Sequence, residues 1–368
     1  MSRFLQLHIL TSYPPANLNR DDLGRPKTAQ MGGVTRLRVS SQSLKRAWRC
    51  SDVFERALKR QIGTRTKEMG LRIRDRLRAA GVSEKKAGEW AQQIAGQFGK
   101  LKSLTDKERK QLKDEALEPG ERRALAERPF QTEQLAHFSP SEIAAIDELT
   151  DRLAAEDRGP ADDELRLLRK DHQAADIALF GRMLAAVPEF NAEAACQVAH
   201  AISVHAVQVE DDFFTAVDDL NDGQEDLGAG HMGETEFAAA VFYLYICLDR
   251  ESLAAQLGQE SEMSRSTIRA LVEAALKVAP TGKQNSFASR AHASFVLAEK
   301  GDQQPRSLAV AFLKPIAGRD YLADAIKAIT RQRENMATVY GACADAHCEM
   351  NVESGTGSLA ELLDFVAA

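Results

Sequence analysis

FAAAVFYLYICL, residues 237–248, carries no charge and is apolar at both its even and its odd positions. A strand with one wet face alternates apolar and polar residues, whereas a strand covered on both faces has no such requirement. The segment therefore predicts a long strand at the centre of a sheet. On its C-terminal side, residues 264–278 set Ile268, Leu271, Val272, Ala275 and Leu276 at three-to-four spacing, the stripe of an amphipathic helix. Residues 294–298 and 308–313 are strand candidates, and residues 321–339 and 358–366 are helix candidates. On its N-terminal side, residues 192–201 suggest a helix and residues 204–209 a strand. The stretch DDFFTAVDDLNDGQEDLGAGHMGETE, residues 211–236, is too long for a tight turn and predicts an extended arm at the tip of a hairpin.

The chain opens with another strand: in RFLQLHIL, residues 3–10, Leu5, Leu7 and Ile9 alternate with Gln6 and His8. Residues 11–33 are crowded with proline, glycine and Asn/Asp and predict a long loop, which inside a compact domain is usually functional or disordered. Residues 36–39 re-extend, and SSQSLKRAWRC follows as a helix that Ser41 or Ser43 can cap and that carries Lys45, Arg46 and Arg49. Residues 61–170 show helical spacing, as in Leu71, Ile73 and Leu77 or Ile143, Ile146, Leu149 and Leu153, with a break near Gly159 and Pro160. The order is strand, helix with a helical insertion, strand, arm, strand, helix, strand. That is an α+β fold in ferredoxin-like order.

Across 368 residues, 44% are hydrophobic and 28% charged, which bounds the chain as globular, with one domain carrying an insertion or two domains. Met1, Ser2 and Arg3 run straight into the first strand without a charged-then-apolar leader, and no apolar run is long enough to cross a bilayer. The five scattered cysteines fit reduced thiols. The expectation is a cytoplasmic protein with no membrane partner. The net charge of −6 argues against binding an acidic polymer, yet residues 1–50 hold nine Lys or Arg against two acids, while residues 205–236 hold ten acids and no cation. One acidic segment hides a basic remainder.

The strongest unit is NRDDLGRPKTAQMGGVTRLRVSSQSLKRAWR, residues 19–49. A loop with Arg20 and Lys27 precedes the donors Ser40, Ser41, Gln42 and Ser43 at a helix N-terminus, where free N–H groups attract anions, and Lys45, Arg46 and Arg49 follow within two turns. That chemistry suits a phosphate backbone; by spacing alone an ordinary basic surface helix suits it as well.

LNRDD, the Gly32-Gly33 pair before a basic strand, and SSQSLKRA together resemble the N-terminal signature of the CasC family, the backbone subunit of the type I-E CRISPR Cascade complex. DIALFGRM (residues 176–183), FFTAVDDL (213–220), HMGETEF (231–237) and TGKQNSF (281–287) match further family blocks in the same order. The resemblance implies a modified RRM/ferredoxin-like palm, a helical fingers insertion and a β-hairpin thumb, divided as residues 1–60 (first part of the palm), 61–170 (fingers) and 171–368 (rest of the palm, with the thumb hairpin at 210–236). It implies a non-catalytic protein that binds crRNA and polymerises along it as a head-to-tail helical filament. Its partners would be the guide, target DNA through guide pairing, further copies and other Cascade subunits, in an antiviral ribonucleoprotein that uses no cofactor or metal. Carried over by position, Arg20, Lys27, Ser40, Gln42, Lys45, Arg46 and Arg49 would hold phosphates and sugars. Met183 would pack at a kink of the guide, Phe213, Phe214 and Met232 would belong to the thumb, and Lys283 and Gln284 would lie near the guide. The family often has a Trp-Phe pair where this chain has Phe213-Phe214, which leaves open which ring meets a base.

Other patterns point elsewhere. Gly228, Gly230 and Gly233 spell a dinucleotide-binding motif, but they precede a strand where such a site needs a helix. Cys343, His347 and Cys348 lack a further ligand pair for zinc. His200 and His205 are expected to be buried or hydrogen-bonded, and the basic run at residues 65–78 is expected to be a solvated helix face. Asp211, Asp212, Asp218 and Asp219 define the rival reading, a metal-dependent nuclease using the acidic arm.

Overall fold

The computed structural model describes residues 2–114, 116–216, 231–258 and 261–368. They form two compact units, one of Met1–Ala57, Cys196–Ala254 and Gln259–Ala368, the other of Leu58–Ala195 and Ala255–Gly258. The chain runs through β1 (Phe4–Ala16), β2 (Thr28–Met31), β3 (Val34–Val39), α1 (Ser41–Arg49) and α2 (Asp52–Leu58), then β4 (Thr64–Thr66), α3 (Met69–Ala79), α4 (Glu84–Ala95), α5 (Asp106–Leu112), α6 (Pro119–Glu127), β5 (Ala136–Phe138), α7 (Pro140–Glu156) and α8 (Ala175–Phe180). It continues through β6 (Cys196–Val198), β7 (Ala201–Ser203), β8 (Glu210–Ala216), β9 (His231–Asp249), α9 (Arg250–Leu257), α10 (Glu262–Lys277), α11 (Gln284–Phe287), β10 (Phe295–Gly301), α12 (Tyr321–Tyr340), β11 (Ala346–Asn351) and α13 (Leu359–Ala367).

The first unit is built on an antiparallel sheet in the order β11-β10-β1-β9-β7-β3-β2, with β6 and β8 also pairing β9. β9, the strand expected at the centre, pairs β1 along most of its length, with His8 opposite Tyr245 and Leu10 opposite Tyr243. One face, with Leu10, Tyr243, Phe295 and Leu297, packs against Leu308, Phe312, Ala325 and Ile329 from the segment before α12 and from α12 itself. The alternate residues Leu5, Leu7, Ile9, Leu244, Ile246 and Leu248 are buried too. Both faces are closed, which is why the strand can be apolar at every position.

The sequence misjudges several edges. β1 continues to Ala16, inside the stretch expected to be loop, because it keeps pairing β9 and its two prolines fall where the register shifts between Tyr13 and Ala16. Residues 192–201 contain no helix: Cys196 and Val198 pair Leu248 and Ile246, so the edge of β9 overrides alanine-rich helical propensity. Residues 204–209 are not a strand, since β7 ends at Ser203 and β8 begins at Glu210. Residues 309–312 form a 3₁₀ turn whose Leu308 and Phe312 plug the sheet face. β11, where no strand is expected, pairs β10 with Cys348 opposite Ala298.

The second unit has a helical core of Ile73, Leu77, Trp90, Ile94, Phe98, Phe138, Ile146, Leu149 and Leu153. Its arginine-rich helix α3 is ion-paired: Arg72 to Asp147 at 2.5 Å, Arg76 to Asp151 at 2.5 Å and Arg78 to Glu84 at 2.6 Å. The unit also includes residues 171–195, because the DIALFGRM segment is anchored in it. Asp176 accepts from Gly63 N at 2.8 Å and lies 2.9 Å from His137 Nε2, and Arg182 pairs with Glu142 at 2.8 Å, both side chains fully buried. No helix among the described residues is long and apolar enough to cross a membrane.

Candidate nucleic-acid interface

Helix α1 explains its own orientation. Leu44 and Trp48, four residues apart, are buried, so Gln42 and Arg46 face outward and Lys45 and Arg49 lie at the margin. Its cap is Ser40, and neither Ser41 nor Ser43: the Ser40 hydroxyl accepts from Ser43 N at 3.3 Å, while Ser40 N donates to Asn19 Oδ1 at 2.9 Å. Ser40 is buried and its oxygen already serves the helix, so its local duty is capping. Ser41 N donates to His200 Nδ1 at 2.9 Å, which takes a second first-turn N–H out of play.

Three segments converge at the base of the β8–β9 hairpin. In the basic loop, Asn17 is fully buried and its amide donates to Gly24 O at 2.9 Å and to Glu236 O at 3.0 Å. Arg25 pairs with the Glu236 carboxylate at 3.0 Å. Arg20, exposed, bridges Pro26 across the loop, and Lys27 N donates to Asn19 O at 2.8 Å. From the other side, Lys283 Nζ donates to Thr235 Oγ1 at 2.5 Å, and Gly282 lies so close to Leu18 O that no Cβ would fit between them. Gln284 clamps its own loop, its Nε2 donating to Pro280 O at 2.8 Å and Ser289 O at 3.2 Å. Lys283 and Ala288 both adopt the left-handed backbone conformation that such a tight loop demands.

Above this base the hairpin projects two aromatic rings, Phe213 at 66% exposure and Phe214 at 45%. Adjacent residues of a strand point to opposite faces, so one ring lies on each side of the ribbon. Phe214 is opposite Gly233, and its ring occupies the space a Cβ there would need. Met232 pairs Thr215 through the backbone, and its side chain lies outside the described residues, as do Asp218, Asp219, Gly228 and Gly230. Met183 belongs to the other unit and is 76% exposed immediately after the buried Arg182.

One cation of the basic N-terminal segment is not surface charge. Arg36 is fully buried, its guanidinium donating to Met31 O, Ser203 O and Phe312 O, and burial pulls its pKa down. Arg3 pairs with Asp249 at 2.9 Å. Charge counting could not separate Arg36 from the rest.

Of the other patterns, His200 is hydrogen-bonded, as noted, and His205 is buried, accepting from Val241 N through Nε2 at 3.3 Å. Among the described residues there is no group of three or more His, Cys, Asp or Glu placed to hold a metal ion.

A family model described as CT1975-like protein matches residues 5–363. Among solved structures, a chain of a "CRISPR RNA-guided surveillance complex, pre-nicking" is 30% identical with a TM-score of 0.81, and a chain of a "CRISPR RNA-guided surveillance complex" is 25% identical with a TM-score of 0.72; each comparison covers 99% of both chains. Among curated proteins there is no match.

Proposed function

Because the chain belongs to the CT1975-like protein family, we propose that it is the non-catalytic crRNA-binding backbone subunit of a type I-E CRISPR surveillance complex, polymerising along the guide and presenting its bases to target DNA. The solved chains it resembles over nearly their whole length come from RNA-guided surveillance complexes. In this reading the sheet unit is the modified RRM-like palm, the helical unit the fingers, and the β8–β9 hairpin the thumb.

One observation carries it: the loop bearing Arg20 and Lys27 is hydrogen-bonded to the base of a hairpin that holds two large aromatic rings in water. Cations that grip a phosphate chain and a ribbon that can splay its bases thus move as one body. A sheet closed on both faces cannot stack bases as an open RNA-recognition sheet does, so the strand must run along loops and hairpin. Backbone contacts of this kind are indifferent to sequence, as holding many different guides requires. Copies would follow one another head-to-tail through a heterologous interface, which builds an open helix.

The test is the RNA that travels with the purified assembly: repeat-derived transcripts are expected, and an assembly free of them would defeat the reading. Phe213→Ala with Phe214→Ala is expected to lower guide occupancy and expose the bound RNA to nuclease; unchanged protection would remove the thumb role. Lys45→Ala should flatten the salt dependence of single-strand binding by about 0.7 in log–log slope, the loss of one phosphate contact. An unaltered slope would exclude Lys45 from the phosphate contacts. The rival nuclease would instead cleave single-stranded RNA with Mg²⁺ or Mn²⁺ and lose that activity in the Asp218→Asn, Asp219→Asn variant.

A further inference from the structure

Neither His200 nor Arg38 is among the RNA-binding residues named above, yet the fold brings both to the start of α1. β3 pairs β7 with Arg38 opposite Ile202 and Val39 opposite Ala201, which brings residue 200, just before β7, to the end of β3. Arg38 N donates to Lys27 O at 2.8 Å, which ties the arginine's strand to the basic loop. His200 is exposed, and its Nδ1 lies 2.9 Å from Ser41 N.

That last contact fixes the chemistry of the ring. A backbone N–H can only donate, so Nδ1 is the acceptor and carries no proton, and in the neutral ring the proton sits on Nε2. His200 therefore presents an N–H donor from a ring anchored at its other nitrogen. Its pKa is lowered, first by burial of part of the ring and then by the charges of Arg38, Lys27 and Lys45, which keeps it in this neutral, donor-presenting form. The Gln42 N–H has no protein acceptor among the described residues, so it adds a backbone donor at the same helix start.

We propose that His200 and Arg38 belong to the RNA-binding surface and, with Lys27 and Lys45, seat one phosphodiester group of the guide, His200 donating through Nε2–H and Arg38 through its guanidinium. This rests on the guide-binding reading and adds two residues to it. An anion there has donors of two kinds: cations that release counterions when it binds, and a neutral N–H that releases none.

The two kinds separate experimentally. With full-length protein and a single-stranded RNA oligonucleotide, Arg38→Gln is expected to weaken binding and flatten the log–log salt slope by about 0.7. His200→Asn retains an acceptor for Ser41 N but not the outward donor. It is expected to keep the thermal midpoint and lose about tenfold in affinity with the slope unchanged, the scale of one hydrogen bond to a charged group. Wild-type affinity in His200→Asn together with a wild-type slope in Arg38→Gln would overturn the proposal. If His200→Asn also lowers the thermal midpoint, its affinity is set aside and the Arg38→Gln slope alone decides. Wild-type protein that binds no RNA under any salt condition would instead defeat the guide-binding reading itself.

Discussion

Arg182→Met is expected to destabilise the chain by about 3–5 kcal/mol, the scale seen when one partner of a buried ion pair is removed and the other stays charged. Arg182 and Glu142 have no exposed side-chain surface. The guanidinium donates to both Glu142 oxygens, to Phe190 O at 3.0 Å, to Arg169 O at 2.8 Å and to His137 O at 3.3 Å. The Glu142 carboxylate also accepts from Ser139 N and Arg169 N, both at 2.8 Å, so it closes the capping box of α7 while holding the segment before α8. Methionine fills much of the volume but leaves that carboxylate without its cation. Urea unfolding measures the loss, and a change under about 1 kcal/mol would mean that the pair is not integral to the unit. Adding Glu142→Leu is expected to recover part of the deficit, because two apolar side chains need no charge compensation. Since Met183 follows Arg182 directly, the pair is also what fixes the position from which that exposed side chain projects.

Glu299→Gln is expected to cost about as much, roughly 3–5 kcal/mol, on the same grounds, and to change the pH dependence as well. Glu299, on β10, is 1% exposed and pairs with Arg306, with Arg333 at 2.8 Å and with His8 at 3.3 Å. Burial pushes its pKa up, but the contact with His8 and the hydrogen bonds and positive charge of Arg306 outweigh this and hold the carboxyl well below its ordinary value of 4.5. A carboxylate depressed in the folded state contributes its full stability above the unfolded value and loses it as pH falls toward the folded one. The wild type should therefore lose stability as pH drops below about 4.5, and the variant should show a flatter curve there. Equal slopes for the two proteins would show that Glu299 does not drive the acid transition. Around this cluster Tyr245 donates to Gln6 Oε1 at 2.8 Å and Leu308 N donates to the Tyr243 hydroxyl at 3.0 Å, which extends the buried polar network along the sheet.

How much of this was legible in the residues differs from element to element. The central strand, the helix over residues 262–277 and the two C-terminal helices were visible because their patterns are long and their periods unmixed. Short edge elements were not: β6 looks helical by composition, β11 is not anticipated at all, and the apolar run before α12 looks like a strand when it is a plug on one. Each is decided by what it packs against. The candidate interface divides in the same way. Arg20, Lys27, Lys45, Arg46 and Arg49 stand out in sequence as cations of one short segment, and Arg36 of that same segment looks identical there but is a buried staple. His200, read as buried or hydrogen-bonded, is exposed and hydrogen-bonded, and only the fold shows that its partner is the start of α1.

From its residues alone, then, this chain determines an α+β fold, a basic N-terminal segment set against an acidic arm, and the ordered blocks that mark its family. Local propensity and charge are properties of short stretches and survive without knowledge of neighbours. Only the tertiary structure decided which cations face water, which serine caps α1, and that the basic loop, the hairpin base and the loop after α10 are bonded into one body. The physical reason is that burial and hydrogen-bond partnership are relations between residues as far apart as Asn17 and Glu236, and no window along the chain contains both.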